Sequence, residues 1–262
     1  MEHLKYKTIS YKKIQAIEPT TENSLLYLLN MKGKKLFRFA AIKDFDNVFE
    51  FPENFKDKWS SEVFKNNNPI VLELACGKGE YSVNLAKAFP DKNFIGIDIK
   101  GNRMFVGAKM ALTEGVRNVA FLRIKIEQIL DFFANNSISE IWITFPDPFL
   151  RESKAKNRLT HHKFLAIYQQ LLKENGIVQL KTDSDELYAF TQEVTAFQKC
   201  EIVQDIENIY LNGTPAFPLN IQTFYEGMHL LDNRTIHYIS FRLPKEKIVV
   251  PPKKDLSEKT HV

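Results

Sequence analysis

Between residues 69 and 190, short apolar runs alternate with segments of helical spacing. Ile70-Val71-Leu72-Glu73-Leu74, Phe94-Ile95-Gly96-Ile97-Asp98, Val119 to Ile124, Ile141 to Phe145 and Ile177 to Lys181 read as strands. They are short, rich in branched and aromatic residues, and bounded by turn formers. Residues 80–89 read as a helix, and Met104, Ala108, Ala111 and Leu112 recur one or two helical turns apart. Phe164, Leu165, Tyr168, Leu171 and Leu172 share one helical face behind Thr160, a good N-cap, and Asn175-Gly176 should end that helix. Strand–helix alternation predicts an α/β fold with a mostly parallel sheet and helices on both faces. Ile236 to Leu243 alternates apolar and polar residues, which predicts an antiparallel strand paired with the Glu201–Val203 region.

The flanks lack this rhythm. Residues 1–50 read as an N-terminal extension, with an apolar run Leu25–Leu29 and a turn at Lys32–Lys35 that suggest a small hairpin. Residues 51–68 carry Pro52, Trp59 and Asn66-Asn67-Asn68, a lead-in to a main domain that then runs to residue 243. Residues 244–262 hold Pro251-Pro252 and many charges, so a flexible tail is expected.

Bulk composition narrows the function less than position does. The 262 residues are 44% hydrophobic, enough for a real core, and the net charge of +4 permits nucleic-acid binding without arguing for it. Cys76 and Cys200 stand far apart without metal-ligand partners, so neither a disulfide framework nor a metal site is expected. The start MEHLKYKTIS has no apolar signal core, and no uncharged run approaches the roughly 20 residues of a membrane span. A cytoplasmic protein without a membrane partner is expected.

Two constellations carry candidate chemistry. The first strand runs into Glu73-Leu74-Ala75-Cys76-Gly77-Lys78-Gly79-Glu80, a turn feeding a helix N-terminus. Gly77 and Gly79 would let a ligand approach the backbone. A dinucleotide fingerprint would need a third glycine where Ser82 stands, and Glu73 would repel a pyrophosphate. An acid there suits a cationic amino group instead. Asp98, about 20 residues on, suits ribose hydroxyls. Either acid alone is equally a strand-end residue capping a neighbouring helix; together they fit S-adenosylmethionine.

The second constellation is Phe145-Pro146-Asp147-Pro148, followed by Arg151, Lys154, Lys156 and Arg158. The prolines hold Asp147 in a stiff turn just past a strand end, where open α/β sheets bind ligands. These cations, together with Lys163, are candidate phosphate contacts and equally a solvated surface run. His161 and His162 read as ordinary helix-start residues, and Cys76 as a packing residue. Asp183, before Leu187 and Tyr188, lies at a helix start where Ser184 or Asp185 is the better cap.

These motifs, with Asn157-Arg-Leu-Thr160, Lys181-Thr-Asp183 and Thr223-Phe-Tyr-Glu226, resemble the bacterial tRNA (guanine-N7-)-methyltransferase family in order and spacing over residues 55–243. The resemblance implies a class I methyltransferase (Rossmann-like) fold, S-adenosylmethionine as cofactor, tRNA as partner, and N7 of the variable-loop guanine at position 46 as the methylated atom. It places Glu73, Gly77, Gly79, Asp98 and Asp147 in the cofactor site. Arg151, Asp183, Thr223, Phe224, Tyr225 and Glu226 would face the tRNA guanine, with Asp183 the candidate catalytic residue. Residues 212–226, rich in Pro and Asn, are expected outside the core. Two positions differ from the family pattern. Phe149-Leu150 follows the Pro-Asp-Pro turn with a thinner basic run, and Lys125 stands where an adenine acceptor is usual, with Glu127 nearby. Other readings are a methyltransferase of another substrate or a non-catalytic RNA-binding relative. Monomer and homodimer are both open.

Overall fold

The computed structural model describes residues 31–251. They contribute to two compact units. Residues 31–68 and 73–129 belong to one; residues 69–72 and 130–251 belong to the other. Eight strands form one sheet: β1 (Val48–Glu50), β2 (Ile70–Leu74), β3 (Asn93–Ile97), β4 (Val119–Arg123), β5 (Ile138–Thr144), β6 (Leu172–Thr182), β7 (Glu201–Ile206) and β8 (His237–Arg242). Their spatial order is β1-β4-β3-β2-β5-β6-β8-β7. β1 and β3 run parallel to β4, and β5 runs parallel to β6. β8 lies antiparallel between β6 and β7. The mostly parallel sheet with an antiparallel C-terminal strand is therefore as the sequence predicts. All residues of β2 and β3 are buried, as befits parallel strands covered on both faces, while β7 at the edge is largely exposed.

In the first unit, helices α1 (Met31–Ala41), α2 (Glu80–Ala88) and α3 (Gly101–Glu114) accompany the strands. Phe105 of α3 receives Phe37 edge-on at 6.2 Å and Phe45 stacked at 5.4 Å. Trp59 is buried against Phe49 and Phe55. Residues 31–41 correct the expected turn. Lys32–Lys35 belong to α1 rather than a turn, and β1 joins the sheet edge beside β4. The apolar run Leu25–Leu29 lies outside the described residues.

In the second unit, α4 (His162–Leu171) buries Phe164, Leu165, Tyr168 and Leu171, the face read from the sequence. Its N-cap is His161, not Thr160. The His161 ring accepts from Lys163 N, while the Thr160 hydroxyl is buried at 2.8 Å from that of Thr191. Asn175-Gly176 do not end the helix either. Leu172 already pairs with Ile138, and Ile177 pairs with Glu140, so five steps of β6 match two of β5 and the Lys173–Gly176 stretch bulges out. Helix α5 (Asp185–Phe197) is capped by Ser184, and α6 (Phe224–Leu231) by Thr223.

The expected flexible tail is tied down at its start. Gln169 Nε2 donates to the carbonyls of Pro244 and Glu246, Ile248 N donates to Gln169 Oε1, and Val249 N to Gln198 Oε1. Ile248 is buried. Residues 252–262 lie outside the described residues. No helix among the described residues is long and apolar enough to cross a membrane.

Candidate functional site

One candidate group is the turn between β2 and α2. Three of its residues have positive φ: Ala75 (56°), Gly77 (55°) and Gly79 (71°). The two glycines answer different needs. A Cβ on Gly79 would meet the Phe121 ring at 2.3 Å, so this glycine is required by packing from below. A Cβ on Gly77 would find only Ala75 O, at 3.9 Å, so here the bare backbone faces open space and offers a ligand close approach. Backbone bonds fix the turn: Cys76 N donates to Ile97 O at 3.0 Å, Gly79 N to Cys76 O at 2.8 Å, and Gly107 N to Lys78 O at 2.7 Å.

Two carboxylates hold this turn. Asp98 is buried, and accepts from Gly77 N at 2.9 Å and Lys100 N at 2.8 Å. It therefore ties the glycine turn to the start of α3. Glu73 is buried and accepts from Ser82 N at 2.9 Å and from the Ser82 hydroxyl. Ser82, which breaks the dinucleotide fingerprint, is thus the partner of the acid that would repel a pyrophosphate. Burial pushes the Cys76 thiol well above its ordinary value, and the Glu73 and Asp98 charges push it further the same way. The turn sits in a negative field that favours a cation. Bare backbone at Gly77, an acid at the β3 end and this field fit the ribose and the cationic amino-acid end of S-adenosylmethionine. Lys125 is exposed just past β4, and Glu127 is exposed as well.

A second candidate group lies in the second unit. Past β5, Phe145 (φ 48°) and Phe149 (φ 45°) flank Pro146-Asp147-Pro148. Bulky residues in the left-handed region are uncommon and cluster at functional loops. Asp147 is exposed and accepts from Phe149 N at 3.1 Å. Arg158 departs from its expected role at a phosphate. It is buried, its guanidinium donates to Pro148 O at 3.1 Å and Phe149 O at 3.2 Å, and it lies 4.5 Å from the Phe190 ring. Arg158 braces the turn; Arg151, Lys154 and Lys156 remain exposed.

Asp183 follows β6. Its Oδ2 accepts from Arg234 Nη1 at 2.8 Å and lies 3.4 Å from His229 Nδ1, with 16% of the side chain exposed. Arg234 is half exposed. Ser184 is the cap of α5, accepting from Leu187 N, so Asp183 is not needed for that purpose.

Glu226 contradicts the expectation for residues 212–226. It is wholly buried and forms an ion pair with Lys181, itself wholly buried, at 2.7 Å. Tyr210 OH donates to Glu226 Oε1 at 2.8 Å, and Thr223 N donates to Oε2 at 3.4 Å. The Thr223 hydroxyl accepts from Glu226 N, completing a capping box at the start of α6. Both side chains are therefore occupied within the unit, whereas Phe224 and Tyr225 are exposed. Burial lowers the Lys181 ammonium from its ordinary value and the Glu226 charge raises it in opposition. Burial raises the Tyr210 phenol to about 12, which keeps it a donor. Sequence reasoning missed Lys181, Tyr210 and Arg234 as participants. Only Lys181 left a signal: a cation inside the apolar run that forms β6.

A family model described as "Putative methyltransferase" matches residues 67–238. The chain is 51% identical over 218 residues to the tRNA (guanine-N(7)-)-methyltransferase of Christiangramia forsetii, covering 80% of this chain and 97% of that one. The chain belongs to the tRNA (guanine-N7-)-methyltransferase family. The family member from Bacteroides thetaiotaomicron is 43% identical, with coverage of 85% and 90%. Among solved structures, the 16S rRNA methyltransferase KamB superposes with TM-score 0.56 at 13% identity, covering 73% of this chain and 96% of that one. A 16S rRNA (adenine(1408)-N(1))-methyltransferase from Catenulisporales acidiphilia, a mutant solved with cosubstrate SAM, gives TM-score 0.51 at 12% identity, covering 72% and 92%. These two likenesses show that the chain has the class I methyltransferase fold.

Proposed function

We propose that this protein methylates N7 of a guanine in tRNA, at position 46 of the variable loop, using S-adenosylmethionine. The 51% identity to a tRNA (guanine-N(7)-)-methyltransferase over nearly all of that relative carries the reading. The two carboxylate groups give it chemistry. S-adenosylmethionine, when bound, supplies a methyl group on a cationic sulfur that leaves as a neutral thioether. Guanine N7 carries a lone pair and no proton, so the chain needs no general base and its task is placement. Glu73, Gly77, Gly79, Asp98 and Asp147 hold the cofactor, with Asp98 at the ribose. Asp183 accepts from guanine N1–H and the N2 amino group, a pair of donors that a carboxylate matches. The same charge stabilises the positive charge that the base gains on methylation. Phe224 and Tyr225 offer exposed rings to bases, and Arg151, Lys154 and Lys156 offer cations to phosphates. A cytoplasmic enzyme follows from this substrate.

The test is methyl transfer from labelled S-adenosylmethionine to bulk tRNA, followed by borohydride–aniline cleavage at 7-methylguanine. Cleavage in the variable loop that disappears in Asp183→Ala is the expected result. Cofactor binding without transfer to any tRNA would overturn the tRNA reading in favour of another substrate.

A further inference from the structure

Lys181 lies where several elements of the second unit meet. Its backbone carbonyl accepts from Phe145 N at 2.8 Å, at the root of the Pro-Asp-Pro turn. Two residues later the same strand ends at Asp183. Its ammonium donates to Leu219 O at 2.7 Å, Ile221 O at 3.1 Å and Glu226 Oε2 at 2.8 Å. Glu226 Oε1 lies as close, at 2.7 Å, so the three protons of the ammonium are shared among two carbonyls and one carboxylate. Two acceptors are main-chain carbonyls of the irregular run that leads into α6; the third is the N3 residue of α6. From α6, His229 reaches Asp183, and Arg234 just beyond the helix pairs with the same carboxylate. The chain from Leu219 to Arg234 thus leaves Lys181 and returns to Asp183.

We propose that Lys181 is a positioning residue for tRNA: its buried ammonium holds residues 219–226 in place, and through α6 keeps Asp183, Phe224 and Tyr225 set for the base. This deepens the proposed function and rests on it. Glu226 then acts from behind the site, as the counter-charge that makes a buried lysine tolerable, rather than by touching guanine. The acceptors of the Lys181 ammonium belong to the irregular run before α6 and to α6 itself, so its loss should leave the glycine turn intact and separate the two substrates.

The test replaces Lys181 with Met, which keeps length and removes all three donors. Amide hydrogen exchange without tRNA should show protection lost at residues 219–226 and kept in β2, β3 and β4. kcat/KM for tRNA should fall about 100-fold, the scale of a misplaced binding group, while the dissociation constant for S-adenosylhomocysteine stays within about twofold. Because Lys181→Met strands the Glu226 charge, the double variant Lys181→Met/Glu226→Gln is read alongside, and the same exchange and kinetic pattern is expected of it. Unchanged protection or unchanged tRNA kinetics in a folded variant would overturn the proposal. So would parallel loss of cofactor and tRNA binding, or failure of both variants to fold, since each means a general structural role. If the unmodified protein methylates no tRNA, the proposed function fails on its own, and the exchange pattern still decides what Lys181 holds.

Discussion

In the first unit, Glu73 and Asp98 accept from the backbone amides of Ser82, Gly77 and Lys100; in the second, Glu226 and Asp183 are met by Lys181 and Arg234. Amides hold a carboxylate still without cancelling its charge, so the glycine turn keeps a net negative field. A cationic sulfonium and ammonium suit that field. A cation beside a carboxylate fixes its geometry and offsets part of its charge, which eases the approach of a polyanion. The carboxylates of the two regions differ in what charge they are prepared to meet.

That difference can be broken from its strongest side first. Glu226→Ala leaves Lys181 buried without its counter-charge and should cost about 3–5 kcal/mol of stability in denaturant unfolding; a loss under about 1 kcal/mol would mean that the pair is not needed for the fold. Asp183→Ala should slow methyl transfer to tRNA about 100-fold with cofactor affinity unchanged, checked by single-turnover kinetics. Equal losses for cofactor and tRNA would erase the division of labour.

Smaller effects sharpen the cofactor half. Gly79→Ala meets Phe121 and carries a left-handed φ, so about 2 kcal/mol of stability should be lost. Gly77→Ala carries only the φ cost, roughly 1 kcal/mol, and should instead weaken cofactor binding in calorimetry. Replacing Arg151, Lys154 and Lys156 with Ala should reduce the slope of log K against log salt for tRNA binding by about 2, given about 0.7 per lost phosphate contact. An unchanged slope would move the phosphate path elsewhere.

The smallest effect concerns acid. Burial lowers the His161 imidazole, with His162, Lys163 and Arg158 adding to it, and burial also lowers His162. His161 Nδ1 accepts from Lys163 N and His162 Nδ1 lies 2.7 Å from Gln198 Nε2, contacts that need neutral rings. The unfolded chain binds protons first, near the ordinary value of 6.5. Stability should therefore hold above that pH and fall as pH drops from it through the lower folded-state values. His161→Asn keeps an N-cap acceptor and should flatten part of this decline, as followed by melting temperature across pH.

Much of this was legible in the sequence, because strand–helix alternation is a local property. Glu73, Asp98 and Asp147 could be singled out as candidates because they sit at strand ends, where topology alone brings ligands. Glu226 and Arg158 were misplaced because burial of a charge depends on a distant partner: Lys181 is 45 positions from Glu226, and Arg158 reaches back to carbonyls of Pro148 and Phe149. The tail misled for the same reason, since Gln169 and Gln198 lie far upstream of the residues they anchor. Thr160 has the chemistry of a cap, but its hydroxyl is taken by Thr191.

The place of β8 between β6 and β7 has a consequence for synthesis on the ribosome. Every strand and acid of the glycine turn has been made by Arg123, and this region can begin to fold while the chain is still being extended. β7 cannot be hydrogen-bonded into the sheet until β8 emerges, and the Lys181–Glu226 pair also waits for α6. A nascent chain can form its glycine turn early, whereas the carboxylates of Glu226 and Asp183 meet their cations only once the last third of the chain has been made.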